Sequence, residues 1–326
     1  MVSIIGDGGW GTALALLLHG KGIDTVLWSV SPDYAAYLEK NRENTKFLEG
    51  VALPRGLKIT SATEAVKSSE YAFFAVPCEY LRSVVGLFAD AGFNYVVSAT
   101  KGIENGSLKR PSEILAESFP DKSISVLSGP SIAFEVARSF PTTVVASSLG
   151  PQKEDVQQLL TTERFRVYTS SDLIGVEMGG ALKNIIAIAT GISDSMGFGA
   201  NSKAALLTRG LAEITRLGVK MGGQKDTFSG LSGMGDLATT CISSHSRNRW
   251  FGSEIGKGKS IREVSDETEM VVEGLATCKS AHELAKKYNV EMPITQKVYE
   301  VLYEQKDPGV AVKELMTRIP KEEDYG

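Results

Sequence analysis

Residues 2 to 12 read Val-Ser-Ile-Ile-Gly-Asp-Gly-Gly-Trp-Gly-Thr, and Ala13-Leu14-Ala15-Leu16-Leu17-Leu18 follows at once. The first four predict a short buried strand, and the apolar run after the glycines predicts a helix. Between them stands Gly6-x-Gly8-x-x-Gly11. Gly6 lets the chain turn tightly off the strand, Gly8 lets a pyrophosphate approach the backbone, and Gly11 lets helix and strand pack closely. The start of the helix then offers free N–H groups and partial positive charge to the phosphates. A glycine-rich turn alone serves many loops. With a strand before it and a helix after it, this one is expected to seat a dinucleotide.

The rest of the first half keeps the same rhythm of short apolar runs and helical patterns, which predicts an α/β fold with a Rossmann-like, doubly wound, mostly parallel sheet. Strands are expected at Val2 to Ile5, Thr25 to Trp28, Tyr71 to Val76, Tyr95 to Ala99, Ser125 to Leu127, Thr143 to Ala146 and Arg166 to Tyr168. Helices are expected from Thr12, Pro32, Tyr80, Pro111 and Ile132, with proline suiting a first helical turn. Strand patterns stop near residue 170 and only helical ones follow. The expected division is a dinucleotide-binding domain over 1–170 and an all-helical domain over 171–326. The charged end, Lys321 to Asp324, is expected to fray. Ligands of open parallel sheets bind beyond the carboxyl ends of the strands. Val76-Pro77-Cys78, Thr100-Lys101-Gly102 and Ser128-Gly129-Pro130-Ser131 should therefore face one crevice.

A chain of 326 residues is long for one core, which agrees with two domains. Its 35 basic and 39 acidic residues leave a net charge of −4, without a dense basic run, so neither a nucleic acid nor an anionic membrane is the expected partner. The first strand opens at Val2, and no uninterrupted apolar run reaches membrane-spanning length. No membrane insertion and a cytoplasmic location are expected. Cys78, Cys241 and Cys278 are scattered, as are His19, His245 and His282. Only Cys241 and His245 share an i, i+4 spacing, with no second cluster to complete a site, so no metal is expected.

Chemistry is more legible in the second half. From Met178 to Ile192 the only polar side chains are Lys183, Asn184 and Thr190, so this helix must be buried. An ammonium there either finds anionic partners or loses its proton readily, which makes it a usable acid or base near neutrality. A snorkelling lysine or a structural ion pair would look the same in this segment alone. Phe228 to Thr240 then offers glycines for close backbone approach and Asp236 as a helix cap or first residue. Ser246-Arg247-Asn248 places a serine cap, a guanidinium and an amide at the mouth of a helix running to Ile255. That makes a phosphate seat, or else a solvated charged face. Together the pieces describe hydride transfer between a nicotinamide and a small phosphorylated alcohol or ketone.

The chain resembles the bacterial-type NAD(P)-dependent glycerol-3-phosphate dehydrogenases over essentially its whole length. The resemblance is carried by Gly6-x-Gly8-x-Trp10-Gly11-Thr12, Ala99-Thr100-Lys101-Gly102, Ser128-Gly129-Pro130-Ser131, Ala181-Leu182-Lys183-Asn184, Gly235-Asp236-Leu237 with Thr239-Thr240-Cys241, Ser246-Arg247-Asn248 and Val271-Val272-Glu273-Gly274. It implies reversible reduction of dihydroxyacetone phosphate to sn-glycerol 3-phosphate, feeding phospholipid synthesis, by a homodimer using NAD or NADP. By the same resemblance Lys183 is the proton donor or acceptor, with Lys101 and Asp236 completing the catalytic cluster. Lys101, Gly129, Ser131, Lys183, Asn184, Asp236, Thr240, Ser246, Arg247 and Asn248 are the implied substrate contacts. Gly6, Gly8, Gly9, Trp10, Gly11, Ser29, Val30, Pro77, Lys101, Ala133, Arg247, Val271 and Glu273 are the implied cofactor neighbours.

Two features depart from that pattern. Asp7 sits in the glycine turn, where an anion is unfavourable beside a pyrophosphate, so its side chain is expected to point away. The second strand ends in Trp28-Ser29-Val30-Ser31, with no carboxylate for a ribose 2′-hydroxyl and no arginine for a 2′-phosphate, which leaves coenzyme preference open. The competing readings are a reductase of a small hydroxy acid and a non-catalytic dinucleotide sensor. The embedded Lys183 argues against the sensor, since a buried ammonium is costly to keep without a use.

Overall fold

The computed structural model describes residues 1–320, 322 and 323, so Lys321 and Asp324 of the charged end lie outside the described residues. Eight strands form one sheet: β1 (Val2–Ile5), β2 (Thr25–Trp28), β3 (Lys58–Thr60), β4 (Tyr71–Phe74), β5 (Tyr95–Ser98), β6 (Ile124–Ser128), β7 (Thr142–Ser147) and β8 (Phe165–Ser170). Their order is β3-β2-β1-β4-β5-β6-β7-β8. The first six positions are the doubly wound order of a dinucleotide-binding sheet, which reverses between β1 and β4 and opens a crevice there. All neighbours run parallel except β6 and β7, where Leu127 faces Ala146 in an antiparallel pair.

Helices α1 (Gly9–Gly20), α2 (Pro32–Asn41), α3 (Cys78–Gly86), α4 (Pro111–Ser118), α5 (Ala133–Ala137) and α6 (Gln152–Leu160) lie among the strands. Side chains alternate between the faces of the sheet. Ile4, Leu27, Phe73 and Val97 join Leu14 and Leu18 of α1 on one side. Ile5, Trp28, Phe74 and Val96 join Leu81 and Val85 of α3 on the other. With both faces covered, the central strands are mostly apolar and their few polar residues, such as Ser3 and Ser98, are buried.

The structure adds β3 and α6 to the expected elements and moves several boundaries. Strand β3 is three exposed or half-buried residues at the sheet edge, and α6 buries only Val156 and Leu160, so neither carries a strong apolar period. Strands β4 and β5 stop at Phe74 and Ser98, before the expected Val76 and Ala99. Helix α1 begins at Gly9 rather than Thr12, which brings its first turn into the glycine motif. A Cβ on Gly11 would stand 1.9 Å from the Gly6 carbonyl oxygen, so only glycine lets that turn close on the strand.

After β8 the described chain is helical: α7 (Leu173–Ser195), α8 (Ala200–Lys220), α9 (Lys225–Ser229), α10 (Asp236–Ile242), α11 (Arg247–Gly256), α12 (Ile261–Asp266), α13 (Glu273–Tyr288), α14 (Pro293–Tyr303) and α15 (Pro308–Met316). Helix α7 is the axis, buried from Gly175 to Ile188 and surrounded by residues of α8, α10, α11 and α13. It is long and apolar enough to cross a membrane, yet 89% of its most apolar window is buried inside the protein. Glycines bring α7 and α11 into backbone contact. A Cβ on Gly191 would lie 1.9 Å from the Arg249 carbonyl, and one on Gly252 would lie 2.1 Å from that of Ile188.

Candidate active site

Three strand-end segments converge as expected. The Thr100 hydroxyl donates to the Val76 carbonyl at 2.8 Å, and Lys101 Nζ donates to that of Gly129 at 3.2 Å. Pro77 caps α3, and a Cβ on Gly102 would meet Cys78 Cβ at 2.7 Å. From the helical half, α7 carries Lys183 towards the same place. A single π-helical turn, Leu231–Gly235, delivers Asp236 to it. That turn lies directly on α7, since a Cβ at Gly179 would stand 2.5 Å from the Ser232 carbonyl oxygen.

The result is a polar cluster in an apolar interior. Lys183 Nζ donates to Asp236 Oδ1 at 2.5 Å and to Thr240 Oγ1 at 2.6 Å. Thr240 in turn donates to the Asp236 carbonyl at 2.7 Å, which fixes its free lone pairs towards the ammonium. Lys101 Nζ donates to the other oxygen, Asp236 Oδ2, at 2.5 Å. One carboxylate, 1% exposed, thus bridges two ammonium groups and leaves the trio with one net positive charge. Burial pulls the Lys183 ammonium down to about 8. Asp236 opposes that fall, and the charge of Lys101 adds to it. A snorkelling lysine is ruled out by this burial. A purely structural pair is disfavoured by the cavity that Lys183 lines.

That cavity, about 450 Å³, is bordered by Gly9, Trp10, Lys101, Ser131, Ala133, Lys183, Asn184, Thr240, Ser246, Arg247, Asn248 and Glu273 among the residues expected from sequence. Asn184 donates to Glu273 Oε2 at 3.3 Å, and Asn248 donates to Asn184 Oδ1 at 3.0 Å. The Gly274 N–H closes this chain on Asn248 Oδ1 at 2.9 Å. Ser246 caps α11 by accepting from the Arg249 N–H, and exposed Arg247 forms no ion pair among the described residues. Gly6, Gly8, Gly11, Ser29, Val30, Pro77, Gly129, Asp236 and Val271 lie outside the lining of this cavity. Gly129 and Asp236 are bonded to Lys101, Val30 is 64% exposed, and Val271 precedes α13.

Sequence reasoning missed Thr45, Lys46 and Phe47, which line the cavity from the segment between α2 and β3. Asn44, fully buried, anchors them: its side-chain amide donates to the Asp7 carbonyl and to Thr12 Oγ1, both at 2.7 Å. Lys46 bridges the two halves of the chain by pairing with Glu269 at 2.5 Å. An isolated basic–aromatic pair has no motif, and the burial of the asparagine beside it is visible only in the structure. Phe134 and His245, stacked with ring centroids 4.9 Å apart, also line the cavity. His245 is thus turned to an aromatic ring, while Cys241 is buried and its thiol pushed up to about 11. The Cys241–His245 spacing is therefore incidental.

The start of α1 fits a dinucleotide. Its cap, Gly8, has no side-chain hydrogen bond, its first turn holds no acidic residue, and a Cβ on Gly8 would meet nothing within 4 Å. The cap residue thus borders open space, and the buried Trp10 Nε1 in the first turn has no hydrogen-bond partner. Asp7 turns its carboxylate sideways, where Ser29 Oγ donates to Oδ2 at 2.5 Å. This corrects one reading of the sequence: the end of β2 does have a carboxylate beside it, supplied by the turn after β1.

Models of the N-terminal and C-terminal parts of NAD-dependent glycerol-3-phosphate dehydrogenase match residues 1–154 and 172–313. The chain belongs to the NAD-dependent glycerol-3-phosphate dehydrogenase family. It is 48% identical to a glycerol-3-phosphate dehydrogenase (NAD(P)+) of Chlorobium phaeobacteroides over 99% of each chain. It is likewise 48% identical to one of Chlorobium limicola, over 99% of each chain. The crystal structure of a glycerol-3-phosphate dehydrogenase from Coxiella burnetii superposes with a TM-score of 0.94 at 39% identity, covering 97% of this chain and 98% of that one.

Proposed function

We propose that the chain interconverts dihydroxyacetone phosphate and sn-glycerol 3-phosphate with NAD(H) or NADP(H), Lys183 serving as proton donor or acceptor. Family membership supports the oxidoreductase activity, and the observation that carries the mechanism is the buried Lys183–Asp236–Lys101 trio opening on the cavity. When bound, the nicotinamide supplies or takes up the hydride. In reduction, Lys183 holds its proton ready for the carbonyl oxygen that becomes an alkoxide. Lys101 adds positive charge to stabilise that oxygen. Asp236 keeps both ammonium groups in place and balances one of them. In oxidation a neutral Lys183 takes the hydroxyl proton, which its lowered affinity for protons allows.

Arg247 and the α11 start, with Ser246 and Asn248, are the proposed phosphate seat, and Gly129, Ser131, Asn184 and Thr240 frame the carbon skeleton. Gly6, Gly8, Gly9, Trp10 and Gly11 hold the pyrophosphate, with Ser29, Val30, Pro77, Lys101, Ala133, Arg247, Val271 and Glu273 around the remainder of the coenzyme. In this reading residues 1–170 carry the coenzyme and 171–326 the substrate. Supply of glycerol 3-phosphate to phospholipid synthesis, a cytoplasmic location and a homodimer belong to the same proposal. Light scattering at twice the 35.0 kDa chain mass tests the dimer. The reaction is tested by comparing dihydroxyacetone phosphate with dihydroxyacetone. At least a hundredfold loss of kcat/KM without the phosphate is expected from losing a charge-assisted contact, about 1.5–3 kcal/mol, together with its helix-terminus partner. Equal turnover of the two would refute the assignment.

A further inference from the structure

Parallel nucleotide-binding sheets usually recognise the adenosine ribose from the end of the second strand, where an acidic residue bonds the 2′-hydroxyl. Here that strand ends in Trp28 and is followed by Ser29, a neutral residue. The carboxylate beside it belongs to Asp7, from the turn after β1, and accepts the Ser29 hydroxyl at 2.5 Å. Its backbone is held as firmly: the Asp7 carbonyl accepts from Asn44 Nδ2 at 2.7 Å and from Thr12 Oγ1 at 3.2 Å. Ser29 is fully buried and also interacts with the backbone of Ser31, so the hydroxyl that orients Asp7 is itself fixed.

The surroundings offer little to a phosphate at this corner. Helix α2 begins here, but Ser31 already caps it by accepting from the Tyr34 N–H, its first residue is Pro32, which has no N–H, and Asp33 adds negative charge to the first turn. Nearby cations are engaged. Arg42 donates to the carbonyls of Pro54 and Leu57 and pairs with Glu39, while Lys46 pairs with Glu269 and sits over the rings of Tyr34 and Phe47.

We propose that Asp7 selects the coenzyme: its carboxylate receives the ribose 2′-hydroxyl and repels a 2′-phosphate, which makes the protein selective for NAD(H) over NADP(H). The inference rests on the dinucleotide-binding part of the proposed function and on no step of its chemistry. Selection from the glycine turn rather than from β2 places the discriminating charge on the same rigid loop that holds the pyrophosphate. Only one carboxylate oxygen is taken by Ser29, so the other remains to accept from the ribose.

Calorimetric titration of the protein with ADP-ribose and with 2′-phospho-ADP-ribose tests this without turnover. ADP-ribose should bind at least tenfold more tightly to the unaltered protein, at a pH of 8 where carboxylates are ionised. In Asp7→Asn and in Asp7→Gly that ratio should fall more than threefold, chiefly through tighter binding of the phosphorylated probe. Circular dichroism and the melting temperature establish that each variant is folded. A ratio near one in the unaltered protein, or a fall of threefold or less in both folded variants, overturns the proposal. Failure of both probes to bind the unaltered protein would overturn the dinucleotide reading itself. Binding of both with no discrimination would overturn only the role of Asp7.

Discussion

Lys183 is charged or neutral according to a contest between burial and one shared carboxylate, and burial wins far enough to bring its titration to about 8. Below that pH the ammonium is present, the form that the proposed mechanism needs for reduction. Above it the free amine accumulates, the form that the proposed mechanism needs for oxidation. The two directions should therefore show opposite pH profiles: kcat/KM for dihydroxyacetone phosphate falling, and that for glycerol 3-phosphate rising, as pH passes through about 8. Profiles of the same sign would exclude Lys183 as the titrating group. In Lys183→Met the kcat should drop about a hundredfold to ten-thousandfold, with coenzyme affinity measured by fluorescence preserved. Arg247→Ala should act on the other end of the substrate, raising KM about ten- to a hundredfold with a smaller change in kcat. Lys183 could be found in the sequence because it interrupts an apolar helix. The loop residue Lys46 could not, since nothing in its neighbours distinguishes it from any surface lysine before Asn44 is seen to be buried.

Elements place these residues through close backbone approach. Helix α11 starts at the proposed phosphate seat and is pressed on α7 at Gly191 and Gly252. An added methyl at Gly191 cannot be accommodated without moving α11, so Gly191→Ala should cost about 1–3 kcal/mol in denaturant unfolding and raise KM for the phosphorylated substrate. An unchanged KM would mean that the seat does not depend on this crossing. The same dependence on packing explains which elements the sequence disclosed. Buried on both faces, β1, β2, β4 and β5 announce themselves by composition, and Pro32 and Pro111 mark helix starts correctly. Edge strand β3 and half-exposed α6 have little apolar content to display. The antiparallel run of β7 is set by how the chain returns after α5, a tertiary choice that local periodicity does not contain.

Across the whole molecule, the two halves are joined by polar groups as well as by apolar packing. Lys101 reaches from the sheet to Asp236, and Glu177 of α7 grips the start of α4 from the other side. Glu177 accepts from the Ser112 N–H at 2.8 Å and its hydroxyl at 2.6 Å, and pairs with Arg110. Burial pushes the Glu177 carboxyl up while Arg110 and Ser112 oppose that shift. Removing one partner of a buried pair leaves the others unsatisfied, so Glu177→Ala should lose about 3–5 kcal/mol, read as a lower urea midpoint. A midpoint unchanged from that of the unaltered protein would show that this clasp is dispensable.

The burial of α7 also orders events in time. As the polypeptide leaves the ribosome, this greasy stretch emerges more than a hundred residues before the last of its wrapping, which arrives only with α13 and α14. Until then part of its apolar surface is uncovered, which makes it a natural client for a chaperone. The residue proposed to handle the proton meets Asp236 and Thr240 only after more than fifty further residues have been made, so a chain cut short before α10 lacks both.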